Sequence, residues 1–324
     1  MKRTVFVNIL LGILVLTVVI GGIVLAFQFI SGSGRGKTGD RFKYDIEDLK
    51  KIDPDLITYS EVIQIKLEME EPHGVAAGRD DRIYVCGDSA ILIISKEGKP
   101  VHQIDLGEPA RCISVGEDGL LYLGMVDHVE VYEETGKQHA LWAGLGHEAL
   151  ITSIATGGKD VYVADAGNRM VMRFGRLLGY IGKENHSPGA QGFVVPSPYF
   201  DVAVGRDKTL WVVNPGRHLL QNYTPEGKFI RSWGHSSVSI EGFCGCCNPT
   251  HIAITGEGSF VTSEKGLARV KVYDPMGGFI GVVAGPRHFA ERTVGLDLAV
   301  DSRGRVIVLD PKKNALRIFS KNTL

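Results

Sequence analysis

The chain has 324 residues, of which 44% are hydrophobic and 23% are charged, and these are the values of a globular protein with a sizeable core. Its formal net charge of −1 gives no reason to expect a basic surface for an anionic partner, so we expect no nucleic acid among its partners. The 41 glycines favour a fold with many tight turns.

The first predicted element is an apolar run at residues 5–30, interrupted only by three polar residues and by glycines. It exceeds the roughly 20 residues needed to cross a bilayer, so we predict a single transmembrane anchor over residues 1–30. Lys2 and Arg3 precede the run and put the N-terminus in the cytoplasm. The rest of the chain is then extracytoplasmic, in the periplasm or at the cell surface. A cleaved signal peptide is the alternative, but its apolar region should be shorter and end in small residues.

Residues 31–58 form a predicted linker or stalk. Residues 31–39 are rich in glycine and serine, a composition typical of a flexible linker. Residues 40–58 are polar with scattered apolar positions. They fit either a short amphipathic helix or an extended segment that packs on the domain, and the sequence leaves both open.

Residues 59–324 consist of short β-rich runs separated by turn residues, and one unit recurs. It is clearest in Ile151–Gly157, Asp160–Asp165 and Asn168–Phe174. The first strands of the copies begin 38 to 50 residues apart, which is close to the length of a four-stranded propeller blade. Six copies begin at Pro72, Ala110, Ile151, Tyr199, Pro249 and Gly295. We therefore predict an all-β fold, a six-bladed β-propeller.

The two ends of the ring are predicted to meet in the last blade. The sixth copy reaches the end of the sequence with only three strands. The run Tyr59–Leu67 precedes the first copy and belongs to no blade. If it supplies the missing outer strand, the ring closes and leaves only short, protected edges.

Several of these segments resemble the NHL-repeat family of six-bladed propellers. The run Val161–Val171, with Asp165, Asn168 and Arg169, is similar to the signature of that repeat, and three other groups of residues echo it. These groups are Phe193 with Pro196 and Pro198, Asn248 with Pro249, and Asp310 with Asn314 and Arg317. The resemblance covers roughly residues 60–324. It implies the fold but no single function, because the architecture hosts lyases, hydrolases, sensors and binding platforms.

Three of the five cysteines, Cys244, Cys246 and Cys247, lie within four positions in the loop that precedes the fifth first strand. In the family, first strands line the central channel, so the resemblance places this loop at the channel mouth, near Cys86 and Cys112. Thiolates select iron–sulfur clusters, copper or zinc, and we expect an iron–sulfur cluster or copper if a centre exists. The alternative is a disulfide, Cys244 with Cys247 or Cys246 with Cys112, since disulfides persist outside the cytoplasm.

A second candidate site follows from aligning the repeats. The third position of each first strand carries Gly74, Cys112, Ser153, Asp201, His251 and Asp297. If the alignment holds, these residues form one layer of the channel. Asp201, His251 and Asp297 would then suit a calcium or zinc ion. The alternative is that the two acids bond backbone amides inside the channel, with no cofactor.

Two functions from different classes follow. The first is a binding or scaffold module outside the cytoplasmic membrane, whose partner is another membrane or extracytoplasmic protein. It includes an iron–sulfur or other metal-bearing electron-transport subunit of a membrane redox complex, which needs converging thiolates. The second is a metal-dependent lyase or hydrolase, which needs Asp201, His251 and Asp297 to converge at the channel mouth. Pure protein binding needs neither, and predicts an exposed apolar or aromatic patch on one face.

Overall fold

The computed structural model describes residues 46–175, 179–182 and 192–322. The predicted anchor lies outside these ranges, so the prediction is untested. Within them, no helix is both long and apolar enough to cross a membrane.

The domain contains six four-stranded antiparallel sheets, as the repeat predicts. In the first five blades the strands follow chain order from the channel outwards. Blade 1 consists of β2 (Pro72–Ala77), β3 (Ile83–Gly87), β4 (Ala90–Ile94) and β5 (Pro100–Asp105), and blade 2 of β6 (Cys112–Val115), β7 (Leu121–Gly124), β8 (Val129–Tyr132) and β9 (Gln138–Leu141). Blade 3 consists of β10 (Ile151–Gly157), β11 (Asp160–Asp165), β12 (Met170–Phe174) and β13 (Gly179–Ile181), and blade 4 of β14 (Val202–Val204), β15 (Leu210–Asn214), β16 (Leu219–Tyr223) and β17 (Phe229–Trp233). Blade 5 consists of β18 (His251–Ile254), β19 (Phe260–Glu264), β20 (Arg269–Tyr273) and β21 (Phe279–Ala284).

Blade 6 closes the ring with the first strand of the domain. Its strands are β22 (Leu298–Val300), β23 (Val306–Asp310), β24 (Ala315–Lys321) and β1 (Tyr59–Lys66). Strand β1 pairs antiparallel with β24, with Ser60 opposite Ser320 and Lys66 opposite Ala315. The predicted closure by the segment before the first repeat is therefore confirmed.

Burial follows the order of strands within a blade. All five residues of β15 and of β19 are buried, including the polar residues Thr262, Ser263 and Glu264 of β19. The outer strand β5 buries only Ile104. Much of the core lies between neighbouring blades, where Tyr162 of blade 3 packs in one cluster with Phe200 and Tyr223 of blade 4. The inner strands are thus held rigidly from both sides, and they carry the channel residues.

The segment before β1 combines both forms that the sequence left open. Helix α1 spans Ile46–Leu49, and a 3₁₀ turn spans Pro54–Leu56. Ile57 then bridges to Val282 of β21. The last part of the predicted linker therefore packs on the outer strand of blade 5.

Candidate functional site at the channel mouth

The third residues of the first strands line the central channel, as the repeat alignment predicts. A cavity of about 280 Å³ inside the ring is lined by Cys112, Ser153, Asp201, His251 and Asp297, among others. Gly74 holds the same position in blade 1, where a Cβ atom would lie 2.9 Å from the Cα of Cys112. Blade 1 therefore has room only for glycine in this layer.

Asp201 and Asp297 each bond backbone amides of two strands. Asp201 accepts from the amide of Val202 at 2.9 Å and from that of Ile252, in the next blade, at 2.6 Å. Asp297 accepts from the amide of Leu298 at 2.8 Å and from that of Val75, across the ring closure, at 2.7 Å. These bonds match the structural alternative drawn from the sequence. They use one lone pair on each carboxylate oxygen, and Oδ1 of Asp297 also faces Nδ1 of His251.

His251 lies between the two acids. Its Nδ1 is 3.3 Å from Oδ1 of Asp297 and 3.7 Å from Oδ2 of Asp201. The side chains of Asp201, His251 and Asp297 are only 7%, 11% and 17% exposed. The Nε2 atom of His251 is buried without a hydrogen-bond partner, so the site has an unused polar atom. One edge of the imidazole contacts the ring of Tyr199, with centroids 5.7 Å apart.

The charges of this group are strongly linked. Burial raises the pKa of Asp201 to about 6, and the nearby charge of Asp297 adds to the rise while His251 opposes it. Burial lowers the pKa of His251, but the hydrogen bond and charge of Asp297 and the charge of Asp201 outweigh it, so the pKa lies above its usual value. Two carboxylates thus face one imidazole, and a positive ligand or proton is stabilised among them.

A second cavity of about 290 Å³ forms the mouth above this group. His251 and Tyr199 line it together with Arg111 and His73. His73, one position before the aligned layer, points Nε2 at Asp88 with a separation of 3.3 Å. Glu71 joins these two in another group that could hold an ion, but it is exposed.

Cys86 and Cys112 lie in apolar cores between blades, apart from the other three cysteines in sequence. Cys86 packs with Tyr84 and Ile91, and Cys112 packs with Val129 and Ile151. Burial raises the pKa of both thiols, so they stay protonated and unreactive.

The loop at residues 240–249, hereafter the cysteine loop, holds the other three cysteines. Cys246 is exposed, Cys247 is buried and Cys244 is intermediate. All five cysteines of the chain are free, so neither predicted disulfide is present. Among the described residues, the only groups of three or more ligand atoms within 4.8 Å of one another are Glu71–His73–Asp88 and Asp201–His251–Asp297. The structure therefore brings the acids and the histidine together but does not gather three thiols.

Two charged residues beneath the cysteine loop, Glu264 and Lys271, were missed by the sequence reasoning. Glu264 ends β19, and its Oε1 accepts the amide of Cys244 at 3.0 Å. Asp165 and Asn214 end the second strands of blades 3 and 4 and bond the preceding loops in the same way. Glu264 thus occupies in blade 5 the place that Asp165 has in blade 3. The signal for it was an acidic residue at the end of a second strand.

Arg269 and Lys271 complete this buried group. Arg269 makes two bonds to the Glu264 carboxylate, at 2.5 and 3.0 Å. Lys271 donates to the carbonyls of Ile240 at 3.0 Å and Gly242 at 2.6 Å, and its Nζ lies 3.3 Å from Glu264. The group fixes the backbone of the cysteine loop from below.

Comparison with known proteins identifies the fold and no family. No family model and no curated protein matches the chain. A Bacteroides thetaiotaomicron protein of unknown function aligns with a TM-score of 0.61 at 15% identity, over 82% of this chain and 76% of that chain. A streptogramin B lyase aligns at 0.56 and 9% identity, over 83% and 100%. A catalytically inactive histidine-to-alanine variant of the virginiamycin B lyase from Staphylococcus aureus, solved with quinupristin, aligns at 0.52 and 14%, over 80% and 88%.

Proposed function

We propose that the protein is a metal-dependent lyase or hydrolase whose site is the channel mouth. The observation that carries the proposal is the convergence of Asp201, His251 and Asp297 within 4.8 Å of one another. Carboxylate oxygens and an imidazole suit calcium, manganese or zinc. The donor set fits such an ion, because the two acids carry more negative charge than one imidazole can neutralise and Nε2 of His251 has no hydrogen-bond partner.

The residues around the mouth suggest the kind of substrate. A divalent ion at this place would supply a Lewis acid that polarises a carbonyl or phosphoryl oxygen. Arg111 lines the mouth, and its guanidinium would pair with an anionic group. Tyr199 also lines the mouth and adds an aromatic ring beside His251. We infer a small, anionic substrate that fits a cavity of about 290 Å³. The lyases of similar fold are consistent with this proposal, although their likeness concerns the fold alone.

Ion binding tests the proposal directly. The full chain, purified in detergent and treated with chelator, is titrated with Ca²⁺, Mn²⁺ and Zn²⁺ by calorimetry. We expect one site per chain, weakened at least tenfold by Asp297→Asn, which corresponds to about 1.4 kcal/mol. Asp88→Asn, in the exposed group around His73, is the matched control and should bind like the wild type. No binding, or binding lost only in the Asp88 variant, would overturn the proposal.

The location outside the cytoplasmic membrane stands as a further proposal, based on the apolar run at residues 5–30. The scaffold and redox interpretations have less support. The exposed large apolar residues include one on the outer strand of every blade: Val62, Val101, Leu141, Tyr180, Ile230 and Ile280. These six are spread around the ring, one to each blade. The redox centre lacks three converging thiols.

A further inference from the structure

The adjacent pair Cys246 and Cys247 forms a contact that the channel site does not use. The thiol of Cys247 donates to Sγ of Cys246 with a separation of 3.1 Å. Cys246 is exposed, whereas Cys247 is buried. Gly245 precedes the pair with φ at +87°, a backbone conformation that glycine adopts most easily. This turn directs one thiol outward and leaves the other beneath it.

We propose that Cys246 and Cys247 are a redox-active dithiol that closes to a disulfide between neighbouring residues by exchange with a disulfide substrate or partner. The exposed Cys246 is the attacking thiol, because an incoming disulfide can reach it. Cys247 is the resolving thiol, already in contact with the sulfur that it must attack.

The exchange balances in two steps. The Cys246 thiolate attacks one sulfur of a disulfide R–S–S–R, which forms Cys246–S–S–R and releases R–S⁻. The Cys247 thiolate then attacks Sγ of Cys246, which forms the Cys246–Cys247 bond and releases a second R–S⁻. The dithiol loses two electrons and two protons, and R–S–S–R becomes two R–SH.

The protonation of the pair supports these roles. Burial, together with the bond to Cys246, raises the pKa of Cys247, although Ser197 and the ammonium of Lys265 oppose the rise. Cys247 therefore keeps its proton before reaction, and the exposed sulfur of Cys246 is the one that an incoming disulfide meets first.

The covalent geometry of neighbouring residues makes the bond readily reversible. Consecutive Cα atoms are about 3.8 Å apart across a trans peptide bond. Ordinary disulfides join Cα atoms about 4.4–6.8 Å apart, so a disulfide between neighbours is strained and more easily reduced. Strained or exposed disulfides are the labile or catalytic ones.

The surroundings hold the two thiols in place before reaction. Glu264 binds the amide of Cys244, and Lys271 binds the carbonyl of Gly242 at the other side. The Asn248 side chain bonds both backbone groups of Lys265, at 2.9 and 3.0 Å. Burying charged groups is unfavourable, so a charged network under one exposed loop is best explained by a need to fix that loop.

Redox titration of the full chain tests the inference. The reduced protein is equilibrated with mixtures of reduced and oxidised glutathione, quenched in acid, treated with N-ethylmaleimide and digested with trypsin. All three loop cysteines fall in the tryptic peptide 232–265. We expect the oxidised form to lose two labels in this peptide, to be lighter by two hydrogens than the dithiol before labelling, and to keep its label on Cys244.

Variants and a second probe separate the outcomes. Cys246→Ser and Cys247→Ser should abolish the two-electron oxidation, whereas Cys244→Ser should keep it. Phenylarsine oxide bridges two close thiols and can be used on the unmutated protein. It should bind the reduced wild type once per chain and protect Cys246 and Cys247 from N-ethylmaleimide. The inference fails if all three thiols stay alkylated in fully oxidised glutathione, or if Cys244 enters the disulfide. Ion binding at Asp297 is measured separately, so this failure is distinguishable from failure of the proposed enzyme site.

Discussion

At the scale of single residues, Lys271 is a charged group held in the interior of the domain. Its side chain is fully buried, beside Glu264, and its ammonium lies 4.8 Å from the ring centre of Phe243 and 5.4 Å from that of Tyr273. Burial lowers its pKa to about 8, although the charge of Glu264 opposes that shift. A lysine in this place is tolerated because it ties the carbonyls of Ile240 and Gly242 to Glu264.

Lys271→Met should therefore destabilise the protein by more than the loss of the two hydrogen bonds that Lys271 donates. Methionine fills similar space but leaves two carbonyls and part of the Glu264 charge without a partner. We expect the free energy of unfolding to fall by about 3–5 kcal/mol, measured by urea denaturation of the full chain in detergent. Lys137→Met, at an exposed turn, is the matched control and should change it by less than about 0.5 kcal/mol. A loss below 1 kcal/mol for Lys271→Met would show that the network does not hold the loop.

At the scale of elements, strand β1 is joined to β24 by an ion pair as well as by the sheet. Arg317 of β24 donates Nε to Glu61 of β1 at 2.9 Å and Nη2 at 2.5 Å, a two-point contact. This hydrogen bond with Arg317 is the main cause that lowers the pKa of Glu61 below 4.5, although burial opposes it. Glu61 and Arg317 are 256 residues apart in the sequence, so this ion pair joins the first and last strands of the domain.

Glu61→Gln should weaken this closure, and the effect should depend on pH. At neutral pH we expect a loss of about 1 kcal/mol in the free energy of unfolding, since the pair is partly exposed. The folded pKa is below the unfolded value, so the stabilisation is present above about pH 4.5 and is lost as pH falls through the folded pKa. Urea denaturation at several pH values should show the wild type and the variant converging in acid. Glu97→Gln is the control, and a difference that stays constant in acid would contradict the assignment.

The outer strands also show how exposed edges are managed. Val62, Val101, Ile230 and Ile280 each occupy the extra residue where the pairing of an outer strand shifts by one. Such bulges interrupt the regular row of backbone groups that another chain could pair with. We therefore interpret these exposed apolar residues as parts of bulges that protect the outer edges of four blades.

At the scale of the whole molecule, the sequence predicted the fold because its signals are local and repeated. The alternation in Asp160–Asp165 and the turn after it define one blade, and the same pattern recurs with regular spacing. The channel layer followed from alignment alone, and Asp201, His251 and Asp297 lie together as that alignment requires. The alignment could not predict the direction of each side chain. Cys112 belongs to the same layer, yet its sulfur packs into an apolar core between blades.

The group under the cysteine loop could not be predicted in the same way. The register between β19 and β20 places Glu264 opposite Arg269 and Lys271 opposite Thr262, so that Lys271 is a diagonal neighbour of Glu264. Their charges look like solvated positions in a sequence, because nothing in β20 itself shows that all five of its residues are buried. Burial on both faces is a property of the closed ring and not of one blade.

The predicted membrane anchor can be tested on the whole chain. If residues 5–30 anchor the protein and Lys2 and Arg3 stay in the cytoplasm, the full chain should remain in the membrane pellet after alkaline carbonate extraction. A membrane-impermeant maleimide should then label Cys246 in intact cells, because this is the exposed cysteine. Cys246→Ser should remove most of that label and so controls for the other thiols. Release of the chain by carbonate would argue against the anchor, and labelling only after lysis would place the propeller on the cytoplasmic side.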